Sequence, residues 1–112
     1  MKNVVITGAS KGIGKAIAEV FAANGAQLFL CARNEIALYK TVEFLQTNYP
    51  QSVIRAKVVD LSIQTQAQDF AQWILQSGTP DILVNNAGNF TPGNIYDEPD
   101  GALEAQLGAN LF

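Results

Sequence analysis

Apolar spacing in this chain changes period in a fixed order, and that order is the strongest constraint on its fold. Four compact apolar runs, NVVIT at 3–7, AQLFLCA at 26–32, VIRAKVV at 53–59 and DILVN at 81–85, are strand-like, and each precedes residues at helical spacing. Ile13, Ile17, Val20 and Phe21 follow the first run, and Gly25 stands where a helix C′ residue belongs. Leu38, Val42 and Leu45 follow the second, with Asn34 as a cap and Tyr49-Pro50 as the stop. Ala67, Phe70 and Ile74 follow the third, with Ser62 as a cap and SGTP at 77–80 as the end. Leu103, Leu107 and Leu111 mark a fourth helix. The order is βαβαβαβα. Strands separated by helices of this length imply right-handed crossovers and a parallel sheet covered on both faces, a doubly wound α/β/α sandwich.

A chain of 112 residues makes at most one domain, here spanning 1–112, and 48% apolar with only 15% charged residues suits a sheet buried on both sides. The net charge of −3 argues against a grip on nucleic acid. Cys31 is the only cysteine and there is no histidine, so no disulfide or Cys/His metal site is expected. No apolar run approaches the ~20 residues of a membrane span, and none at the N-terminus reads as a signal peptide. The expectation is a soluble, cytoplasmic chain without a membrane or nucleic-acid partner.

Between the first strand and the first helix lies TGASKGIG, with Gly8, Gly12 and Gly14 in a G-x-x-x-G-x-G spacing. Glycines there permit positive φ and let backbone approach a diphosphate with no Cβ in the way. The following helix points free N–H groups and its positive dipole end at the anion. A tight strand-to-helix turn alone would also use glycines, but the strand–turn–helix context favours nucleotide binding.

This turn resembles that of the short-chain dehydrogenases/reductases, whose T-G-x-x-x-G-x-G pattern is matched from Thr7 to Gly14. The resemblance implies the first half of a Rossmann-type fold. It also implies cofactor contacts from Thr7, Gly8, Ser10, Lys11, Gly12, Ile13 and Gly14. At the end of the second strand, an acidic residue would suit the 2′-hydroxyl of NAD and an arginine the 2′-phosphate of NADP. Arg33 stands there, and Lys11 adds a second cation, which favours NADP(H) over NAD(H). Without that role, Arg33 is a solvated side chain paired with Glu35. By resemblance, Asp60 accepts from the adenine amino group and the Leu61 backbone borders the ring. Asn86, Ala87 and Gly88 of the NNAG run let the cofactor ribose lie against backbone. Asn110 matches a helix asparagine whose main-chain carbonyl holds a water in the family's proton relay.

The family's chemistry is hydride transfer between a nicotinamide and a carbonyl or secondary alcohol. It uses a serine and a Tyr-x-x-x-Lys pair. Four residues after Tyr39, Tyr49 and Tyr96 stand Glu43, Val53 and Asp100, so no tyrosine here qualifies. Of the catalytic set only Asn110 is matched. The chain therefore reads as the N-terminal half of such an oxidoreductase: truncated, a proteolytic remnant or an incomplete gene product. Its fourth strand would be a bare sheet edge, leaving the piece marginally stable or self-associating, and the complete protein is expected to be a homo-oligomer. The alternatives are a non-catalytic nucleotide-binding or regulatory module and a non-enzymatic interaction domain with an empty glycine turn.

Overall fold

A computed structural model describes residues 1–86. Its elements are β1 (Asn3–Thr7), α1 (Gly12–Ala23), β2 (Gln27–Ala32), α2 (Glu35–Asn48), β3 (Val53–Val58), α3 (Gln64–Leu75) and β4 (Ile82–Val84). The expected NVVIT strand is reproduced to the residue, and the other three strands begin or end one residue inside their apolar runs. The expected fourth helix, with Leu103, Leu107 and Leu111, lies outside the described residues.

The four strands form one parallel sheet in the order β3-β2-β1-β4. β1 pairs with β2 from Asn3 opposite Gln27 to Thr7 opposite Cys31, and with β4 from Val4 opposite Ile82 to Ile6 opposite Val84. The chain steps outward from β1 to β3, then crosses back to place β4 on β1's other side. That reversal opens a crevice at the carboxyl ends of β1 and β4, where folds of this kind hold ligands.

Alternate residues of each strand serve opposite faces. Val4, Ile6, Leu28, Leu30 and Ile54 pack with Ala18 and Ala22 of α1 and Leu38 and Leu45 of α2. Val5, Phe29, Cys31 and Leu83 pack with Ala67, Phe70, Ala71 and Ile74 of α3. The three layers expected from the sequence are therefore present. On the α3 face, Trp73 stacks on Phe70 and meets Phe29 edge-on, each at 5.7 Å between ring centres.

The turn chemistry explains most boundaries. At the end of α1, Gly25 takes φ 77° while its N–H and that of Ala26 return to Ala22 O and Phe21 O, a Schellman closure. Asn34 Oδ1 caps α2 by accepting from Ala37 N at 2.9 Å, and α2 ends at Asn48, just before the Tyr49-Pro50 stop. Ser62 does not cap α3. The N-cap is Ile63, and Ser62 instead gives its N–H and hydroxyl to Asp60 Oδ1. The short polar side chain turns back to the carboxylate two residues earlier, which outcompetes the helix N–H groups.

The helical spacing of Ile13, Ile17, Val20 and Phe21 locates α1 but not its buried face. Gly14, Ala18 and Ala22 are the buried residues, while Ile13 is 69% and Val20 61% exposed. Small residues at i, i+4 and i+8 bring the helix axis close to the sheet.

Candidate functional site

The carboxyl ends of β1, β2 and β3 surround a cleft of about 640 Å³. Gly8, Ser10, Lys11, Gly12 and Ile13 form one wall, Arg33 and Asn34 a second, and Asp60, Leu61 and Ser62 a third, with Asn86 at the β4 end. Nine residues expected at the site from the sequence thus meet in one place. Asn34 and Ser62 join them unforeseen, as do Cys31, Ala32 and Val59 on the cleft lining. Ala87, Gly88 and Asn110 lie outside the described residues.

The glycine turn owes its shape to backbone that other residues resist. Gly8 and Gly12 hold φ 63° and 62°, the left-handed region that strains any residue with a Cβ. Lys11 is the N-cap of α1, and no side chain caps the helix. The first-turn N–H groups are thus not claimed by a capping side chain, which suits an anion at the mouth of the cleft.

Two of the expected site residues, Thr7 and Gly14, are not on the cleft lining. Thr7 is fully buried and does not line the cleft. Its hydroxyl donates to Asn85 Oδ1 at 3.0 Å and accepts from Asn86 N at 2.7 Å, tying the end of β1 to the chain leaving β4. Gly14 is buried behind the turn, where a Cβ would stand 2.2 Å from Gly8 O and 2.7 Å from Asn86 Nδ2. Both residues stand behind the lining of the cleft and shape its wall.

At the β3 end, Asp60 is fixed from two directions. Ser62 Oγ and N donate to Oδ1 at 2.6 and 3.0 Å, and Gln66 Oε1 of α3 accepts from Asp60 N at 2.8 Å. The Ser62 hydroxyl and then its N–H hold the carboxyl below the usual carboxylate range, with a smaller pull from Arg33. Oδ2 makes no hydrogen bond among the described residues, so an acceptor remains available. Gln66 escaped the sequence reading, which took Ser62 only as a helix cap, because spacing does not reveal the bonds of either to Asp60.

Cys31, at the cleft floor, is 1% exposed, and burial pushes its thiol up to about 12. That makes it a packing residue and not a nucleophile. Thr41 of α2 is another buried contributor, giving its hydroxyl to Ser10 O at 3.1 Å. Nothing in helical spacing signals such a contact, because its partner lies 31 residues away.

The cleft thus combines flexible-backbone glycines, uncapped helix N–H groups, two exposed cations and a fixed carboxylate. That set suits a phosphorylated ligand held at the glycine turn. Among the described residues there is no cluster of metal-ligating side chains and no helix long and apolar enough to cross a membrane.

Comparison with known proteins agrees with this geometry. Residues 2–112 match the short chain dehydrogenase family. Dehydrogenase/reductase SDR family member 7B of Xenopus laevis is 41% identical over 114 residues, covering 97% of this chain and 35% of that protein. An NADPH-bound short chain oxidoreductase from Pseudomonas aeruginosa PAO1, described as containing an atypical catalytic center, superposes with a TM-score of 0.78 at 30% identity; the match covers 95% of this chain and 49% of that one. A short chain dehydrogenase/reductase from Burkholderia phymatum in complex with NAD gives a TM-score of 0.68 at 35% identity, covering 73% and 29%. The chain spans between 35% and 47% of the length of the curated relatives it matches. With the family match running from residue 2 to residue 112 and the glycine turn in place, the chain belongs to the short chain dehydrogenase family of oxidoreductases.

Proposed function

We propose that this chain forms the adenosine and diphosphate half of an NADP(H) site in an oxidoreductase acting on a carbonyl or secondary alcohol. The observation that carries the reading is the placement of Arg33 and Lys11 on the same cleft, with no carboxylate at the position Arg33 fills. A guanidinium there makes paired, charge-assisted bonds to a 2′-phosphate and offers nothing to two ribose hydroxyls that an aspartate would bind better. Gly8, Gly12 and the first turn of α1 would hold the diphosphate, and Asp60 Oδ2 the adenine amino group. Bound NADPH supplies a hydride equivalent.

In this reading the described residues bind and orient the cofactor. No Tyr-x-x-x-Lys occurs in the 112 residues, and Asn110 is the one catalytic position matched by resemblance. The proposal therefore gives the chain cofactor holding without turnover. The alternative is a non-catalytic nucleotide-binding or regulatory module. Carbonyl reduction by a longer form of the protein separates the two.

Fluorescence titration with NADPH and NADH tests the cofactor assignment. Arg33→Asp is expected to weaken NADPH by roughly tenfold or more without weakening NADH. Equal affinities for the two before and after the substitution would defeat it.

A further inference from the structure

Among the described residues the buried polar or charged side chains are Thr7, Thr41 and Ser52. Each ties together segments distant in sequence. Thr7 joins β1 to the chain beyond β4, and Ser52 donates its hydroxyl to Ala26 O at the opposite end of the sheet. Thr41 joins α2 to the glycine turn. It is 2% exposed, and its hydroxyl has two acceptors in reach, Ser10 O at 3.1 Å and Ala37 O at 3.3 Å. The longer contact is the ordinary back-bond of a helical threonine to the preceding turn. The shorter one crosses to another element.

We infer that Thr41 is a positioning residue for cofactor choice, holding the Ser10–Lys11 segment at a set distance from Arg33. The inference rests on the NADP(H) reading of the cleft. Its physical basis is that α2 touches both sides of the 2′ pocket. Arg33 directly precedes Asn34, the N-cap of α2, which is locked by its bond from Ala37 N. Thr41 lies seven residues past Asn34, roughly 10 Å along the helix, and reaches the residue directly before Lys11. One helix thus contacts the backbone beside each of the two cations.

The remainder of the turn has independent anchors. Ala9 N bonds Cys31 O at 3.2 Å, and Gly14 is wedged against Gly8 O and Asn86. Loss of the Thr41 hydroxyl therefore relaxes the Lys11 side of the pocket and leaves the diphosphate end in place. A two-cation grip on one phosphate is sensitive to the separation of the cations, whereas contacts to a 2′-hydroxyl are not.

The test compares adenosine 2′,5′-bisphosphate with adenosine 5′-monophosphate, which differ only in the 2′-phosphate. Binding of each to the full chain is measured for the native sequence, Thr41→Val, Thr41→Ala and Thr41→Ser, with thermal melts alongside. The hydroxyl-free variants are expected to lose about fivefold in preference for the bisphosphate, with the monophosphate unchanged, and Thr41→Ser to keep the preference within about twofold. Thr41→Ala serves if the valine variant fails to fold. Native preference in both hydroxyl-free variants, or equal weakening of both ligands, overturns the inference alone. No preference in the native chain overturns the NADP(H) reading, and this inference with it.

Discussion

The carbonyl oxygen of Gly8 and the α-carbon of Gly14 are packed so closely that a Cβ on Gly14 would stand 2.2 Å from that oxygen. No side-chain rotation relieves such a contact, since one partner is backbone. The first glycine of the turn and the third are therefore one unit, and the third exists to let α1 start beneath the first.

Gly14→Ala accordingly has to shift α1 or the turn. Overpacking of this kind costs about 1–3 kcal/mol or more, so a fall in melting midpoint of several degrees is expected, together with weaker nucleotide binding. Gly25→Ala makes a useful comparison. It meets no atom within 4 Å but sits at φ 77°, so it should cost about 1–2 kcal/mol and leave binding unchanged.

The Thr7 hydroxyl bonds both Asn85 Oδ1 and Asn86 N from a fully buried position. Thr7→Val keeps the shape and removes the acceptor for Asn86 N. Leaving this part-buried donor without its partner costs about 1 kcal/mol, read by denaturant unfolding, while Thr7→Ser should cost less. Similar losses in both variants would contradict the hydrogen-bonded role.

Cys31 makes a pH prediction. Burial raises its thiol from an ordinary 9.0 to about 12 in the folded chain. Between those values the unfolded chain has lost the proton and the folded chain has kept it, so this group's contribution to stability is full below about pH 9 and declines as pH rises toward 12. Iodoacetamide at pH 8 should label Cys31 only after denaturation. Rapid labelling of the native chain would show the thiol to be accessible.

The sequence made the cleft legible where the cause was local. Glycine spacing, Asn34 as a cap and Gly25 as a helix stop each act within a few residues, and the structure places them as read. Arg33 was legible because strand ends in a parallel sheet share one edge, and Asp60 only through the family resemblance. The buried face of α1 was not legible, since Gly14, Ala18 and Ala22 matter through helix-to-sheet distance, and large apolar residues mask them in any periodicity. Ser62 was misjudged because capping α3 and bonding Asp60 are both open to a short hydroxyl. Thr41 and Gln66 carry no sequence signal, as their partners are brought to them by the fold.

In the proposed function, the cleft at the carboxyl edge of β1, β2 and β3 holds the adenosine end of NADP(H). Amide chemical shifts of the isotope-labelled chain during NADPH titration test it most directly. Saturable changes are expected at Gly8, Lys11–Gly14, Arg33 and Asp60–Leu61, with smaller changes at Arg33 when NADH replaces NADPH. Changes confined to the opposite end of the sheet, around Val20, Asn24 and Asp81, or none at millimolar NADPH, would contradict it.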